Sequence, residues 1–163
     1  MQRTVILLDG PIGVGKTSLG QAAACALEFG FVDGDDHSTP GHWVRSILRT
    51  SRKIVAECEN ALRTRPAVIV SYPLRCTNWV FYSQTFERMG IGCHCIGLMA
   101  EVSAISARER KLDAGELARS TEMLAQGYGQ RPFSSAYLRT DQMSFDETCQ
   151  RLEAKIRQVL SGS

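Results

Sequence analysis

The chain has 163 residues, a length that suits one hydrophobic core. Apolar residues make up 44% and charged residues 22%, and the mean hydropathy is −0.13, which excludes long disorder and collagen-like sequence. Lys plus Arg number 19 and Asp plus Glu 17, and this net charge of +2 gives no basic footprint for nucleic acid.

Thr4-Val5-Ile6-Leu7-Leu8 is a continuous apolar run and predicts a strand covered on both faces, as in a parallel sheet. Gly10 to Gly15 form a turn, and a helix is expected next, with Leu19, Ala22, Ala23, Ala26 and Leu27 inward and Gly30 closing it. Phe31-Val32 opens a short second strand, broken at once by Asp33-Gly34-Asp35-Asp36-His37. A long helix is predicted from near Gly41, where Trp43, Ile47, Leu48, Ile54, Val55, Cys58, Ala61 and Leu62 recur at helical spacing. Pro66 separates it from Ala67-Val68-Ile69-Val70, a third strand.

Asn78 to Met89 reads as a helix anchored by Phe81, Phe86 and Met89, and Cys93 to Met99 as a fourth strand. Val102 to Leu112 reads as a helix that turns charged at its end. Residues 112–132 are polar and poorly periodic, with Gly115, Gly127 and Gly129, and predict a mobile excursion with short helical turns. Tyr137 to Thr140 is a candidate fifth strand. In the last helix Ser144 and Glu147 make a capping box, and Phe145, Cys149, Leu152, Ile156 and Val159 mark a buried stripe. Strands alternating with helices give an α/β fold with a parallel sheet.

No apolar run reaches the roughly 18 residues of a bilayer span, and the first apolar run is too short for a secretory leader. The six cysteines contain no Cys-x-x-Cys, and reduced, mostly buried thiols in a cytoplasmic protein are expected. Cys93-His94-Cys95 would alternate faces along a strand, which keeps the three from closing on one metal ion.

Gly10-Pro11-Ile12-Gly13-Val14-Gly15-Lys16-Thr17 fits G-x-x-x-x-G-K-[ST] at every fixed position. Glycines let successive N–H groups turn toward a polyphosphate, and the following helix presents its positive end to the same anion. Gly10, Ile12, Gly13, Val14, Gly15, Lys16, Thr17 and Ser18 are therefore the candidate nucleotide-binding set. Lys16 supplies a point charge to the β- and γ-phosphates, and Thr17 supplies a hydroxyl to Mg²⁺. D-x-x-G and N-K-x-D, which a switch GTPase needs, do not occur.

Phe31-Val32-Asp33-Gly34-Asp35 resembles the F-x-D-x-D element of shikimate kinases, and Gly34-Asp35-Asp36-His37 is similar to the G-D-x-x-H of gluconate kinases. Val68 to Arg75 resembles the gluconate-kinase stretch in which a buried strand ends in small polar residues. Arg108 and Arg110 resemble the start of the lid in both families. The resemblance runs through most of the chain in order and spacing. It implies a three-layer P-loop fold over residues 1–163, a five-stranded parallel sheet in the order 2-3-1-4-5, and a lid over about 108–132.

The resemblance also implies phosphoryl transfer from ATP·Mg²⁺ to a hydroxyl of a small molecule such as a sugar acid or cyclitol, with no nucleic-acid or membrane partner. Asp33 falls where these kinases hold waters of the metal shell, and Asp35 where they hold the acceptor hydroxyl and orient it. Arg45 falls near an arginine that binds an anionic acceptor, Arg131 is a candidate second lid or acceptor arginine, Trp43 and Tyr72 are candidate walls of the acceptor pocket, and Arg139-Thr140-Asp141 falls at the adenine loop. Arg108 and Arg110 would close over the nucleotide. Arg49 and Arg52 read as solvated, Arg119 as a weaker lid or acceptor candidate than Arg131, and His37, His42 and His94 as structural or exposed.

Shikimate kinases carry a glycine triplet where this chain has Ser71-Tyr72-Pro73, and the His-Phe-Met pattern of the gluconate-kinase lid is absent. The acceptor therefore stays open. An antibiotic phosphotransferase of the chloramphenicol type and a nucleotide-binding sensor without kinase activity are the alternatives.

Overall fold

The computed structural model describes residues 2–37, 43–108 and 111–162, without the side chains of residues 43 and 44. Arg110 and the Gly41-His42 start of the long helix lie outside the described residues, as does the side chain of Trp43.

The strands are β1 (Thr4–Asp9), β2 (Gly30–Asp33), β3 (Ala67–Ser71), β4 (Gly92–Met99) and β5 (Ala136–Arg139). The helices are α1 (Lys16–Leu27), α2 (Trp43–Ala61), α3 (Cys76–Arg88), α4 (Val102–Ser106), α5 (Ala114–Ala125) and α6 (Phe145–Ser161), and Gly34–His37 forms a 3-10 turn. All strand pairs are parallel, and the five-stranded sheet has the expected order β2-β3-β1-β4-β5.

The alternation of side chains along each strand builds one core on each face of the sheet. Ile6 and Leu8 of β1, Ile69 of β3, and Ile96 and Leu98 of β4 join Leu19 and Ala23 of α1 and Leu152 and Ile156 of α6. Val5 and Leu7, Val68 and Val70, and Cys95 join Ile54 and Cys58 of α2 and Tyr82 and Phe86 of α3 on the other face. The central strands are buried throughout, as continuous apolar runs between helix layers require. Cys93 packs toward the α2–α3 core, whereas the His94 ring meets the Ser135 hydroxyl, so the three side chains of 93–95 do divide between faces.

Several element expectations need correction. Glu28, not Gly30, ends α1: it sits at φ 58 and its N–H turns back onto the last carbonyls of the helix. Gly30 instead opens β2, where a Cβ would stand 3.0 Å from Ala61 Cβ and 3.1 Å from Val68 Cγ2. Ala24 is buried in α1 and Ala26 is exposed. Leu48 is 42% exposed, because it lies on the early turns of α2, before the helix settles on the sheet.

The helix expected over Val102–Leu112 stops at Ser106. The region read as an irregular excursion carries a three-turn helix, α5, because Asp113 and Glu116 cap it reciprocally: Glu116 N–H donates to Asp113 Oδ1 at 2.7 Å and Asp113 N–H to Glu116 Oε2 at 3.0 Å. The Ser144–Glu147 box starts α6 as expected. Phe145, however, is 52% exposed, since the buried face of α6 begins one turn later at Thr148 and Cys149.

Candidate functional site

β1 lies between β3 and β4, and its C-terminal end is the switch point of the sheet, the place where open α/β sheets hold ligands. The loop leaving β1 runs straight into α1. Gly13 and Gly15 adopt φ +81 and +105, and a Cβ at Gly13 would stand 2.7 Å from Ile105 Cγ2 and 2.9 Å from Leu112 Cδ1. No side chain caps α1, so its first-turn N–H groups are left to meet an anion.

Lys16 is folded back on this loop. Its Nζ donates to the carbonyls of Gly10 at 2.8 Å and Pro11 at 2.9 Å. Burial lowers its pKa to about 8, against the pull of Asp9, Asp35 and Asp33. The Thr17 hydroxyl donates to Asp33 Oδ2 at 3.2 Å and lies 3.1 Å from Ser71 Oγ. Two hydroxyls and a carboxylate make a hard oxygen donor set, which fits Mg²⁺ with most of its waters kept. Asp33 Oδ1 also accepts the Asp35 N–H at 3.1 Å, which fixes the turn carrying the second carboxylate. Burial and then the neighbouring Asp33 charge raise the Asp35 pKa, against Lys16 and Arg119.

Two cavities meet here. One, of about 380 Å³, is lined by Ile12, Gly13, Gly15, Lys16, Thr17 and Ser18 together with Arg108 and Glu116. The other, of about 250 Å³, is lined by Tyr72, Arg75, Asn78, Glu122, Gln126 and Tyr128. Asp35, Pro73, Arg119 and Met123 line both. The helix α5 roofs the first cavity, and the Ser120 hydroxyl donates to the Ile12 carbonyl at 2.8 Å.

Arg108 lines the first cavity and braces the loop: Nη1 donates to Gly13 O at 2.9 Å, and Nη2 to the carbonyl and hydroxyl of Thr140 at 3.0 and 2.9 Å. The Thr140 hydroxyl in turn donates to Val14 O at 2.8 Å. Gly10 and Val14, expected in the nucleotide-binding set, do not line the cavity: their carbonyls accept from Lys16 and Thr140, and the Val14 side chain is buried in the core.

Tyr72 lines the second cavity. Its ring lies so close to Gly34 that a side chain there would collide with it. Arg45 is exposed and lines neither cavity; the nearby Ile47 lines the second cavity instead. Arg131 also lines neither. Its Nε donates to Leu74 O at 3.2 Å and its Nη1 to Gln126 O at 2.8 Å, and its guanidinium carbon lies 4.4 Å from the Tyr128 ring centre.

Sequence reasoning missed Asp9, ranked Arg119 below Arg131, and reached Arg75 only as the end of the Ser71–Arg75 segment read beside the acceptor. Arg119 was obscured because 112–132 was read as irregular, although Asp113-x-x-Glu116 is a helix-start signature that would have placed Arg119 on a helix. Arg75 stands just beyond Ser71-Tyr72-Pro73, after the buried Leu74.

No protein-family model and no curated protein sequence matches the chain. Solved structures do. A gluconokinase from Sinorhizobium meliloti 1021 aligns with a TM-score of 0.69 at 17% identity, over 98% of this chain and 95% of that one. A shikimate kinase from Acinetobacter baumannii in complex with shikimate aligns with a TM-score of 0.62 at 15% identity, over 100% and 96%. An APS kinase from Mycobacterium tuberculosis, in complex with AMPPNP and APS, aligns with a TM-score of 0.62 at 14% identity, over 96% and 98%. The chain has the three-layer fold of the P-loop kinases and resembles the gluconate and shikimate kinases in architecture.

Proposed function

We propose that this protein is an ATP-dependent small-molecule kinase, with the whole described chain acting as one catalytic domain. The observation that carries this reading is the position of Asp35. It lines both the cavity of the glycine loop and the adjoining polar cavity, and it stands within electrostatic reach of Lys16.

In this reading the triphosphate occupies the larger cavity, and Lys16 exchanges the Gly10 and Pro11 carbonyls for phosphate oxygens. Thr17 and Asp33, with Ser71 beside them, would hold Mg²⁺, which when bound neutralises charge on the phosphates. The hydroxyl of the acceptor enters from the smaller cavity and is oriented by Asp35. Its oxygen forms the new bond to the γ-phosphorus while the bond to the bridging oxygen breaks, ADP leaves, and the hydroxyl proton passes to Asp35. The raised pKa of Asp35 suits it to take that proton late in a loose transition state, where positioning and charge neutralisation do most of the work.

Arg108 and Arg119 supply the guanidinium groups of the nucleotide cavity, and α5 with the residues around it acts as the lid. Arg75, Tyr72 and Tyr128 form the acceptor wall. The expected burial of the thiols holds for Cys58, Cys95 and Cys149, whereas Cys93 is half-buried and Cys25 and Cys76 are exposed. Among the described residues no helix is long and apolar enough to cross a membrane.

The test is incubation with ATP, Mg²⁺ and pooled polyols, sugar acids, aminocyclitols and nucleosides. At least one pool should stimulate ADP formation. Nucleotide binding without stimulation by any acceptor would contradict the kinase reading and favour a sensor.

A further inference from the structure

The glycine loop starts from a carboxylate that neither the loop motif nor the proposed reaction employs. Asp9 ends β1 with no exposed surface. Strand alternation puts it on the side of Val5 and Leu7, at the upper edge of the α2–α3 core. There its two oxygens serve two different segments. Oδ1 accepts the Leu74 N–H at 2.7 Å, and Oδ2 accepts the Gly129 N–H at 2.8 Å.

These segments supply the loop-borne parts of the wall of the smaller cavity, beside residues of α2, α3, α5 and the Asp35 turn. Residues 72–75, between β3 and α3, bring Tyr72, Pro73 and Arg75 to it, and residues 126–128, after α5, bring Gln126 and Tyr128. Both are loops, whose positions no strand ladder fixes. They also bond to each other: Arg75 Nε donates to Tyr128 OH at 2.7 Å, and Arg131 Nε donates to Leu74 O. Gly129 sits at φ +83, and a Cβ there would stand 3.5 Å from Gly10 Cα and run into the Leu98 carbonyl, so the return loop lies directly on the start of the glycine loop.

The charged and titratable groups around Asp9 are Lys16, Arg131 and Cys95. Burial is the largest influence on Asp9 and raises its pKa, against the two N–H donors and the two cations. The raised value means that ionising Asp9 costs more here than in water, while its two accepted bonds satisfy N–H groups of two separate loops. An amide cannot replace it, because Asn has one acceptor oxygen and its NH₂ would face one of the N–H groups.

We propose that Asp9 is a positioning residue that fixes both loop-borne wall segments of the acceptor cavity to the first residue of the glycine loop, so that glycine loop and wall segments respond together when a nucleotide binds. The response to nucleotide rests on the proposed function, whereas the anchor itself does not.

The experiment uses ¹⁵N-labelled full-length protein. In the wild type, the Leu74 and Gly129 amide shifts should titrate together, with one midpoint above the ordinary carboxylate value. Separate midpoints, or Leu74 and Gly129 amides that exchange as fast as unbonded loop amides, would overturn the anchor. In Asp9→Asn, hydrogen exchange at one of these two amides should speed up at least about tenfold, the loss of one hydrogen bond. Magnesium AMP-PNP should slow exchange over 10–17 in both proteins, but over 72–76 and 126–131 only in the wild type.

Equal protection of those wall segments in the variant would overturn the proposal. If Asp9→Asn does not fold, the wild-type titration and exchange still decide the anchor. If AMP-PNP does not bind the wild type, the nucleotide reading and the joint response both fall, and the titration and exchange again decide the anchor separately.

Discussion

The Thr17 hydroxyl donates to Asp33 Oδ2 at 3.2 Å, so the first turn of α1 and the end of β2 are joined through two oxygen side chains beside the glycine loop. This pair predicts a metal-dependent nucleotide affinity. Asp33→Asn and Thr17→Ala should weaken binding of AMP-PNP in the presence of Mg²⁺ by about 10–100-fold, the usual effect of disturbing groups that hold or orient a metal. Binding with EDTA present should change little. Calorimetry with and without the metal measures the difference.

Lys16 predicts the pH dependence. In the free protein its pKa is about 8, and phosphate oxygens beside it would raise that value in the complex. Below pH 8 the amine is already charged and binding needs no proton. Above pH 8 binding takes up a proton, and affinity falls by up to about tenfold per pH unit. Titrations in buffers of different ionisation enthalpy should show this proton uptake at pH 9 and little at pH 7. Lys16→Met should remove both the uptake and most of the affinity.

The arginines separate by position. Both are exposed, but Arg119 lines both cavities and lies near Asp35, whereas Arg45 lines neither. Arg119→Ala should lower kcat/KM for the acceptor by roughly 10²-fold, as loss of one aligned donor to developing charge does. Arg45→Ala should stay within about twofold, since an exposed side chain away from the site contributes little. Steady-state kinetics with the acceptor found in the pooled screen compares the two.

The cap of α6 gives a stability prediction apart from the site. Ser144 Oγ accepts the Glu147 N–H at 3.3 Å, and its N–H donates to Glu147 Oε2 at 3.0 Å. Ser144→Ala should cost about 1 kcal/mol, read from urea unfolding, with nucleotide affinity unchanged. Phe145→Ser, at an exposed position, should cost less than about 0.5 kcal/mol.

The architecture was legible because its signals are local. Buried runs such as Val5–Leu8 and Ala67–Val70 have one reading, the loop from Gly10 to Thr17 has a fixed spacing, and the Ser144 box marks a helix start. The acceptor side was harder to read. Arg119 lines the site because Asp113 and Glu116 start a helix that carries it along both cavities, and Gly115 in the first turn masks that pattern. Arg131 looked like a ligand of the acceptor, but its guanidinium serves backbone carbonyls and the Tyr128 ring. The partners of Asp9 lie 65 and 120 residues away along the chain, a separation at which no local pattern operates.

The most direct measurement of the central claim follows the label from γ-³²P-ATP in the presence of the stimulating acceptor pool. Label should appear in a small organic phosphate, in amounts equal to the ADP formed, and should vanish with Asp35→Asn while nucleotide binding persists. Label recovered only as inorganic phosphate, or an Asp35→Asn variant with near-native transfer, would contradict the account.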